Sequence, residues 1–570
     1  MYRPEYPRPQ MVRADWINLN GTWEYRTDLS GSGTARKFFL PDAVFEEKIE
    51  VPFCRESTLS GIGDVDFCET VWYRKRLSLP QEWDGKRILL HIGACDYHTT
   101  LWVDGKEVDS HAGGFSSFTF ELTSHLTSRE PLIVLRARDE LRSKKQPGGK
   151  QSRGYYSKGC SYTRTTGIWQ TVWLEAVESS YVKQAKYIPD IDARTLTVQA
   201  IAENADGMTL TAKAFYEGRE VGAASATVHG KQAILTLALS ELHLWEVGNG
   251  RLYDLELTLG NDFVKSYFGM RSIGWRDGLF TLNGKVVFQR LVLDQGFYPD
   301  GIWTAPSEQA LIDDITRSQG LGFNGARLHQ KVFEPLFLYH CDRLGYIVWG
   351  EAGNWGLDIT TDNCWRSFVP EWQEVLDRDF NHPSIIGWCP LNETQFAQDP
   401  AFVKYLADLT HALDPTRLFI EASGWRHIPG LADMVDVHDY SQDPAEFAAR
   451  YAPMKNGEPI SLKLPSVWKY EEICFPTFVS EYGGIQWVLD DPIGNAWGYG
   501  IAPKTEEEFI ERFRGLTEAI LFHPKMSGLC YTQLTDVEQE QNGLYTYDRR
   551  PKFDPAIFHA ILTQKAAVEE

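Results

Sequence analysis

From about residue 272 to the end, short apolar segments alternate with helical segments such as SEQALIDDITRSQG and EEEFIERFRGLTEAI. This alternation indicates βα units built around a parallel sheet. The segments that fit as strands are 286–293, 323–329, 345–351, 385–393, 417–423, 434–440, 476–482 and 528–534. Eight strands is the number that a closed (β/α)8 barrel requires. The sequence therefore predicts such a barrel over 273–570.

The chain before the barrel has a different pattern of apolar and polar residues. Residues 1–180 contain short, alternating, aromatic-rich runs such as VWYRKRL and TTLWVDGKEV, separated by turn signals. This pattern is typical of an antiparallel β-sandwich, and Asp104-Gly105 predicts a two-residue hairpin turn. Residues 181–272 repeat the strand pattern at the size of an immunoglobulin-like domain. We therefore expect three domains with boundaries near 180 and 272.

Composition excludes several classes of partner. The chain has 570 residues, too many for one hydrophobic core, and a formal charge of -21. A negative field of this size disfavours nucleic acid and membrane surfaces. The nine cysteines are scattered with no Cys-x-x-Cys pair, which favours reduced thiols over a zinc or redox site. The first residues lack the apolar core of a signal peptide, so a cytoplasmic protein is expected.

Polar residues cluster at the carboxyl ends of the predicted barrel strands. They are Arg327, His329, Glu351, Asn392, Glu393, Glu421, His438, Tyr440, Glu481, Tyr482, Gln533 and Asp536. Active sites of (β/α)8 barrels form at this end, so the side chains should converge on one pocket. Two carboxylates across a sugar can act as a protonated general acid and an ionised nucleophile. Such a site needs no metal and no cofactor.

Two motifs resemble those of glycoside hydrolase family 2. NHPSIIGWCPLNET (381–394) resembles the acid/base signature of the family, and FVSEYGG (478–484) resembles its nucleophile signature. Further segments, including LNGTWEY, HAGGF, TGIWQTVWLE and LNGKVVFQR, follow in family order and extend the resemblance over nearly the whole chain. The resemblance implies a jelly-roll sugar-binding domain, an immunoglobulin-like domain and a catalytic barrel.

The resemblance also implies residue roles. Glu393 takes the acid/base position and Glu481 the nucleophile position. Asn392 would contact the sugar 2-hydroxyl, and Arg327 would keep Glu481 ionised. Tyr440 is favoured over Tyr482 as a hydrogen-bond donor to the same carboxylate. The side chains of His438 and Glu351 would form walls of the substrate pocket.

Departures from the family pattern bear on the sugar. β-Glucuronidases of the family carry an Asn-x-Lys motif after the eighth strand, where this chain has Glu540-Gln541-Asn542. A glutamate near a uronate sets like charges together without a balancing cation, which disfavours a glucuronide. Thr532 stands where the family usually has a tryptophan. Asp294 and Gln295, in an altered loop, are expected to contact hydroxyl groups, and Gln533 is assigned to the same pocket.

The sequence thus predicts a retaining exo-glycosidase that removes a terminal neutral sugar from a glycoside or oligosaccharide. A β-galactoside is the first choice, with a β-galactofuranoside or α-L-arabinoside as alternatives, and a homo-oligomer is left open. A non-catalytic carbohydrate-binding protein would not need both Glu393 and Glu481. A metal-dependent hydrolase would need clustered His and carboxylate ligands.

Overall fold

The computed structural model describes residues 3–394, 398–464, 469–473, 477–491 and 494–569. Two β-sandwiches precede a parallel barrel, so the predicted order of fold types is confirmed. No helix in these ranges is long and apolar enough to cross a membrane. The eight cysteines within them are free, and Cys474 lies outside the described residues.

The first domain is the jelly-roll sandwich. Its strands are β1 Trp16–Asn18, β2 Gly21–Thr27, β3 Glu47–Val51, β4 Thr70–Arg76, β5 Arg87–Ile92, β6 Cys95–Asp96, β7 His98–Val103, β8 Lys106–Ala112, β9 Phe118–Glu121, β10 Leu132–Arg138, β11 Gly167–Ile168 and β12 Val172–Val177. A four-stranded sheet (β1-β12-β5-β9) packs on a six-stranded sheet (β3-β2-β4-β10-β7-β8). Alternate residues such as Trp23, Tyr25 and Tyr73 fill the core between them. The Asp104-Gly105 turn joins β7 to β8 with positive φ at both residues, as predicted.

The second domain is the immunoglobulin-like sandwich. Its strands are β13 Tyr181–Asp190, β14 Thr195–Glu203, β15 Thr209–Tyr216, β16 Arg219–Thr227, β17 Gln232–Ala238, β18 Tyr253–Leu259 and β19 Asp262–Phe268. They form a sheet in the order β13-β14-β17 and a second in the order β16-β15-β18-β19. In β17 the sequence QAILTLA alternates strictly, and Ala233, Leu235 and Leu237 face the core.

The third domain begins with a small sheet and continues as the barrel. The small sheet comprises β20 Ile273–Arg276, β21 Leu279–Leu282 and β22 Lys285–Val286. The later strands are β23 Gln289–Asp294, β24 Gly325–Leu328, β25 Ile347–Glu351, β26 Ile385–Cys389, β27 Leu391–Asn392, β28 Leu418–Phe419, β29 Ala422–Ser423, β30 Asp436–Asp439, β31 Ile460–Leu464, β32 Lys469–Ile473, β33 Phe478–Gly483 and β34 Gly528–Thr532. The helices are α1 Glu308–Gly320, α2 Pro335–Leu344, α3 Asn363–Asp379, α4 Pro400–Leu413, α5 Pro444–Tyr451, α6 Glu506–Leu521 and α7 Pro555–Leu562.

The barrel strands run parallel in the order β28-β26-β25-β24-β23-β34-β33-β30. Each predicted strand segment overlaps one of these eight strands, with ends that differ by a few residues. Among the described residues, no ladder of backbone hydrogen bonds joins β28 to β30. Side chains bridge this gap instead: Ser423 donates to Asp436, and Gly424 N donates to Asp436 Oδ1 at 3.2 Å. Ser423 Oγ also lies 3.0 Å from Nε2 of His438, which is within β30.

Helix boundaries follow from local chemistry. Ser307 caps α1 by accepting from Ala310 N, and Thr505 caps α6 in the same way from Glu508 N. Three glutamates in the first turn of α6 complement the positive end of the helix dipole. Helix α2 begins with Pro335 and ends at Gly345 in the left-handed conformation.

A loop of the jelly-roll domain reaches the mouth of the barrel. Gly148 N donates to Trp355 O at 2.8 Å, and Gly149 N donates to Gly353 O at 3.0 Å. Gly149 has φ +58°, and a Cβ there would lie 2.4 Å from Gln330 O. Only glycine allows this approach, because any side chain would collide with that backbone oxygen. The next residue, Lys150, is thereby placed at the barrel mouth.

Candidate active site

A cleft of about 1110 Å³ opens at the carboxyl ends of the barrel strands. Asn392, Glu393, His438 and Tyr440 line it from the barrel, as the predicted convergence of strand ends requires. Cys160, on the jelly-roll loop, lines the same cleft. Two domains therefore form its wall.

Glu393 lines the cleft, and the buried Glu481 lies close to it. Glu393 follows β27, and Glu481 lies in β33. A carboxylate oxygen of each, together with a ring nitrogen of His438, lie within 4.8 Å of one another. The structure therefore brings together the two carboxylates to which catalytic roles were assigned.

Glu481 is held as a carboxylate although it is only 5% exposed. Its Oε1 accepts from Arg327 Nη1 at 3.1 Å, and its Oε2 accepts from the Tyr440 hydroxyl at 2.5 Å. Burial opposes ionisation, but nearby positive charge, with His438 and Arg327 contributing strongly, lowers the pKa of Glu481 to about 2. His329 is also close, but burial and the Lys150 charge lower its own pKa so far that its ring is neutral.

Arg327 also donates hydrogen bonds to two other side chains near this carboxylate. Its Nε donates to Glu351 Oε1 at 2.7 Å, and its Nη2 donates to Asn392 Oδ1 at 3.1 Å. His329 Nδ1 lies 3.0 Å from the other oxygen of Glu351. Glu351 is therefore placed behind Arg327, which it orients, and not on the cleft wall where sequence reasoning had put it.

Only one of the two polar atoms of the Asn392 side-chain amide has a hydrogen-bond partner among the described residues. Its Oδ1 accepts from Arg327, whereas its buried Nδ2 has no hydrogen-bond partner among the described residues. An unpaired buried donor costs stability unless a ligand supplies the acceptor. The geometry leaves this donor free for a sugar hydroxyl.

Glu393 has an unusual backbone and one fixed partner. Its φ is 50°, and its backbone N donates to Ser423 O at 2.8 Å. Its Oε1 lies 2.8 Å from His438 Nδ1, while His438 Nε2 lies 3.4 Å from Glu481 Oε1. Burial lowers the pKa of His438, but the two glutamates outweigh burial and raise that pKa above its ordinary value.

These three groups are close enough to share a metal ion. A protonated His438 cannot also offer a lone pair to a metal at the nitrogen that donates to Glu393. Metal binding would therefore compete with the hydrogen bond between His438 and Glu393.

Tyr440 is buttressed by a residue that sequence reasoning missed. The rings of Tyr440 and Tyr499 stack with centroids 3.5 Å apart and an interplanar angle of 1°. Tyr499 belongs to the irregular segment before α6, where no strand periodicity signals its position. Tyr482, the alternative donor to Glu481, instead contacts Thr517 Oγ1 at 2.8 Å on the far side of β33.

Gln295 and Gln533 lie in a closed ring of side-chain hydrogen bonds. Tyr162 donates to Glu540 Oε2, and Gln295 Nε2 donates to Tyr162 at 2.8 Å and to Gln533 Oε1 at 2.6 Å. Gln533 Nε2 donates to Asn542 Oδ1 at 2.8 Å, and Asn542 Nδ2 donates to Glu540 Oε1 at 3.1 Å. The two glutamines therefore fix Glu540.

The structure corrects the prediction for Asp294. Its Oδ1 accepts from Gly296 N at 2.9 Å, and its charged neighbours are Asp314, Arg549 and Lys331. Burial and Asp314 raise its pKa to about 6. Asp294 ends β23 beside these charged groups, of which Asp314 lies in helix α1, and it is not among the residues that line the cleft.

Lys150 is a further residue that the sequence did not single out. It is 7% exposed, and its Nζ lies 4.1 Å from the ring centroid of Trp355, which lines the cleft. Burial opposes its charge, but the surrounding acidic groups, Glu540 and Glu481 among them, raise its pKa. A cation from the jelly-roll domain therefore interacts with the charge of Glu540, although the two residues form no salt bridge, and the barrel sequence alone did not indicate it.

The comparisons with known proteins agree with this site. The model "Glycosyl hydrolases family 2, TIM barrel domain" matches 275–483, and the model "Glycosyl hydrolases family 2" matches 180–271. Beta-glucuronidase of Sus scrofa is 25% identical over 527 residues, covering 84% of this chain and 79% of the relative. Beta-galactosidase of Thermoanaerobacter pseudethanolicus is 24% identical over 447 residues, covering 75% and 58%.

Solved structures show the same fold over the whole chain. Ruminococcus gnavus beta-glucuronidase superposes with a TM-score of 0.81 at 18% identity, covering 99% of both chains. Lactobacillus rhamnosus beta-glucuronidase gives a TM-score of 0.81 at 18% identity, covering 99% and 100%. With the family models matching the second and third domains and curated relatives spanning most of the length, the chain belongs to glycoside hydrolase family 2.

Proposed function

We propose that the protein is an exo-acting glycosidase that retains anomeric configuration by double displacement. The observation that carries the proposal is the spacing of Glu393 and Glu481, whose nearest oxygens lie within 4.8 Å. Retaining enzymes separate their carboxyl groups by about 5 to 5.5 Å, and inverting enzymes by about 6.5 to 9.5 Å to admit a water. The spacing supports the retaining mechanism.

The lowered pKa of Glu481 supports its assignment as the nucleophile, which leaves Glu393 as the general acid and base. In the first step Glu481, ionised at neutral pH, attacks the anomeric carbon, and Glu393 gives its proton to the glycosidic oxygen as that bond breaks. In the second step Glu393 accepts a proton from water, the water oxygen bonds to the anomeric carbon, and the bond to Glu481 breaks. Each group ends the cycle in its starting state.

Neighbouring side chains prepare both steps. The hydrogen bonds from Arg327 and Tyr440 hold one orientation of the nucleophile. His438 donates to Glu393 and stabilises the carboxylate that forms when the leaving group takes the proton. The free Nδ2 of Asn392 suits the sugar 2-hydroxyl, a contact that strengthens as positive charge develops on the ring.

For the sugar itself we propose a neutral terminal residue, with a β-galactoside first and a β-galactofuranoside or α-L-arabinoside as alternatives. Support comes from Glu540, a buried carboxylate behind the cleft that accepts from Tyr162 and Asn542. A carboxylate in that position accepts from hydroxyl groups but repels a uronate.

A β-glucuronide is the second candidate. It is favoured by the names of several relatives and by Lys150, an ammonium that could face a sugar carboxylate. The relatives are about one quarter identical, and Glu540 opposes an anion at the same wall. The two candidates differ by one charge on the sugar, so a direct comparison of substrates separates them.

A panel of nitrophenyl glycosides tests the function, and proton NMR of the first anomer released tests the mechanism. We expect hydrolysis of the β-D-galactoside, or of one of the two alternative neutral glycosides, with the product anomer equal to that of the substrate. An inverted first product would contradict double displacement. A panel in which no glycoside is cleaved would contradict glycosidase activity, and a higher kcat/KM for the glucuronide would select the second candidate.

A further inference from the structure

We propose that Lys150 and Glu540, contributed by different domains, together select for a neutral terminal sugar by binding its hydroxyl groups with one donor and one acceptor. This inference rests on the proposed function and names the residues that set its specificity. Neither residue belongs to the matched acid/base and nucleophile motifs.

The first observation is the placement of Lys150. The glycine that precedes it packs against Gln330 O, and Tyr162 N donates to Lys150 O at 2.7 Å. Its ammonium lies over Trp355, whose Nε1 donates to Asn392 O at 3.2 Å. The lysine is thus tied to the wall that carries Asn392.

The second observation is that the Lys150 ammonium is buried without an ion pair. Within the described parts of the chain, no carboxylate approaches its Nζ closely enough to form a salt bridge. Tyr162 nevertheless links the lysine to Glu540, because its backbone N donates to Lys150 O at 2.7 Å and its hydroxyl donates to Glu540 Oε2. An isolated buried charge is costly, and a partner in a ligand removes that cost. A sugar hydroxyl can accept from an ammonium and donate to a carboxylate, so a neutral sugar offers a partner to each residue.

The third observation is that Glu540 cannot turn away to meet the lysine. Both of its oxygens accept hydrogen bonds, from Tyr162 and from Asn542, within the ring that Gln295 and Gln533 complete. Each carboxylate oxygen still has capacity for another donor. The acceptor is therefore held in place before substrate arrives.

The arrangement explains selection by charge. Lys150 and Glu540 sum to zero, so a neutral sugar meets no net charge at this wall. A uronate would gain an attraction from Lys150 but meet a repulsion from Glu540, and it would also lose hydration on entering. Removing the glutamate leaves the lysine uncompensated, and the site should then accept an anion.

The experiment compares kcat/KM for nitrophenyl β-D-galactoside and β-D-glucuronide in the full-length enzyme and in Glu540→Gln, Lys150→Gln and the double variant. If the panel selects a different neutral glycoside, that substrate replaces the galactoside. Glu540→Gln should lower the neutral-sugar value by about 10-fold to 100-fold and raise the glucuronide value, because a charged hydrogen bond is lost and an unopposed ammonium remains. Lys150→Gln should lower the neutral-sugar value by a similar factor without a gain for the glucuronide, and the double variant should lose the gain seen in Glu540→Gln.

Lys145→Gln is the matched control, because Lys145 is exposed on the same loop and its substitution removes the same charge. It should keep the wild-type ratio of the two substrates. Melting temperatures of all variants separate a folding defect from a change in selectivity. An unchanged substrate ratio in folded Glu540→Gln, or wild-type kcat/KM in Lys150→Gln, would overturn this inference while leaving the glycosidase proposal standing. Loss of the glycosidase proposal itself would appear in the unmodified enzyme, as no cleavage or as an inverted product.

Discussion

The hydroxyl of Tyr440 donates to Glu481 Oε2 at 2.5 Å while the opposite oxygen, Oε1, accepts from Arg327. The carboxylate is therefore gripped from both sides, and the stack of Tyr499 against Tyr440 fixes the direction of the phenol. A carboxylate held in this way would need little reorientation to act as the proposed nucleophile.

Tyr440→Phe should lower kcat by about 10-fold to 100-fold, because one hydrogen bond to a charged group is lost. Steady-state kinetics on an aryl glycoside measures the effect. Tyr482→Phe is the control, since this neighbouring tyrosine contacts Thr517 and not Glu481. Equal losses in the two variants would show that the effect comes from packing and not from the contact with Glu481.

Glu481→Ala should abolish turnover of every substrate, with a loss on the order of 10⁴-fold or more. Azide should restore part of the activity, because it can attack from the space that the carboxylate leaves. The azide product, identified by NMR, should have inverted configuration. A glycosyl azide of retained configuration from this variant would assign the nucleophile elsewhere.

Glu393→Ala should affect substrates according to their leaving groups. A nitrophenolate departs largely without a proton, so formation of the covalent intermediate persists while its breakdown slows. We expect a burst of nitrophenolate and, with azide, a glycosyl azide of retained configuration. Equal rate losses for nitrophenyl and alkyl glycosides would contradict the acid role.

Arg327→Met should damage catalysis more than folding and should move the acid limb of activity. In the wild type the pKa of Glu481 is lowered from 4.5 to about 2, so its ionised form persists as the pH falls below 4.5. Without the guanidinium this pKa rises, and the acid limb of kcat/KM should shift to higher pH. The shift is measured on a nitrophenyl glycoside in enzyme that stays folded across the range, and an unmoved limb with normal kcat would contradict the role of Arg327.

Much of this site could be predicted from the sequence because strand ends converge. Apolar strand segments ending in Glu393, Tyr440 and Glu481 can lie only at one end of a parallel barrel. The same reasoning is wrong for Asp294, which also ends a strand. A shift of one residue along a strand changes whether a side chain faces the cleft or the helix layer.

The remaining residues could not be predicted for a different reason. Tyr499 and Lys150 lie in irregular segments whose path depends on tertiary contacts. Lys150 also comes from another domain, more than a hundred residues before the first barrel strand. The spacing of strands and motifs in the barrel sequence therefore does not predict the position of Tyr499 or of Lys150.

The close approach of Gly149 to the barrel constrains how relatives of this protein can be recombined. A chimera that joins the jelly-roll domain of one enzyme to the barrel of another, at the natural junction near residue 180, would also exchange the loop that carries Lys150. The transferred barrel would keep the residues that correspond to Glu393 and Glu481, but the residue in the place of Lys150 would come from the other parent. The substrate preference of such a hybrid should therefore depend on both parent enzymes. A chimera that keeps the preference of the barrel parent must take residues 139–166 from that same parent.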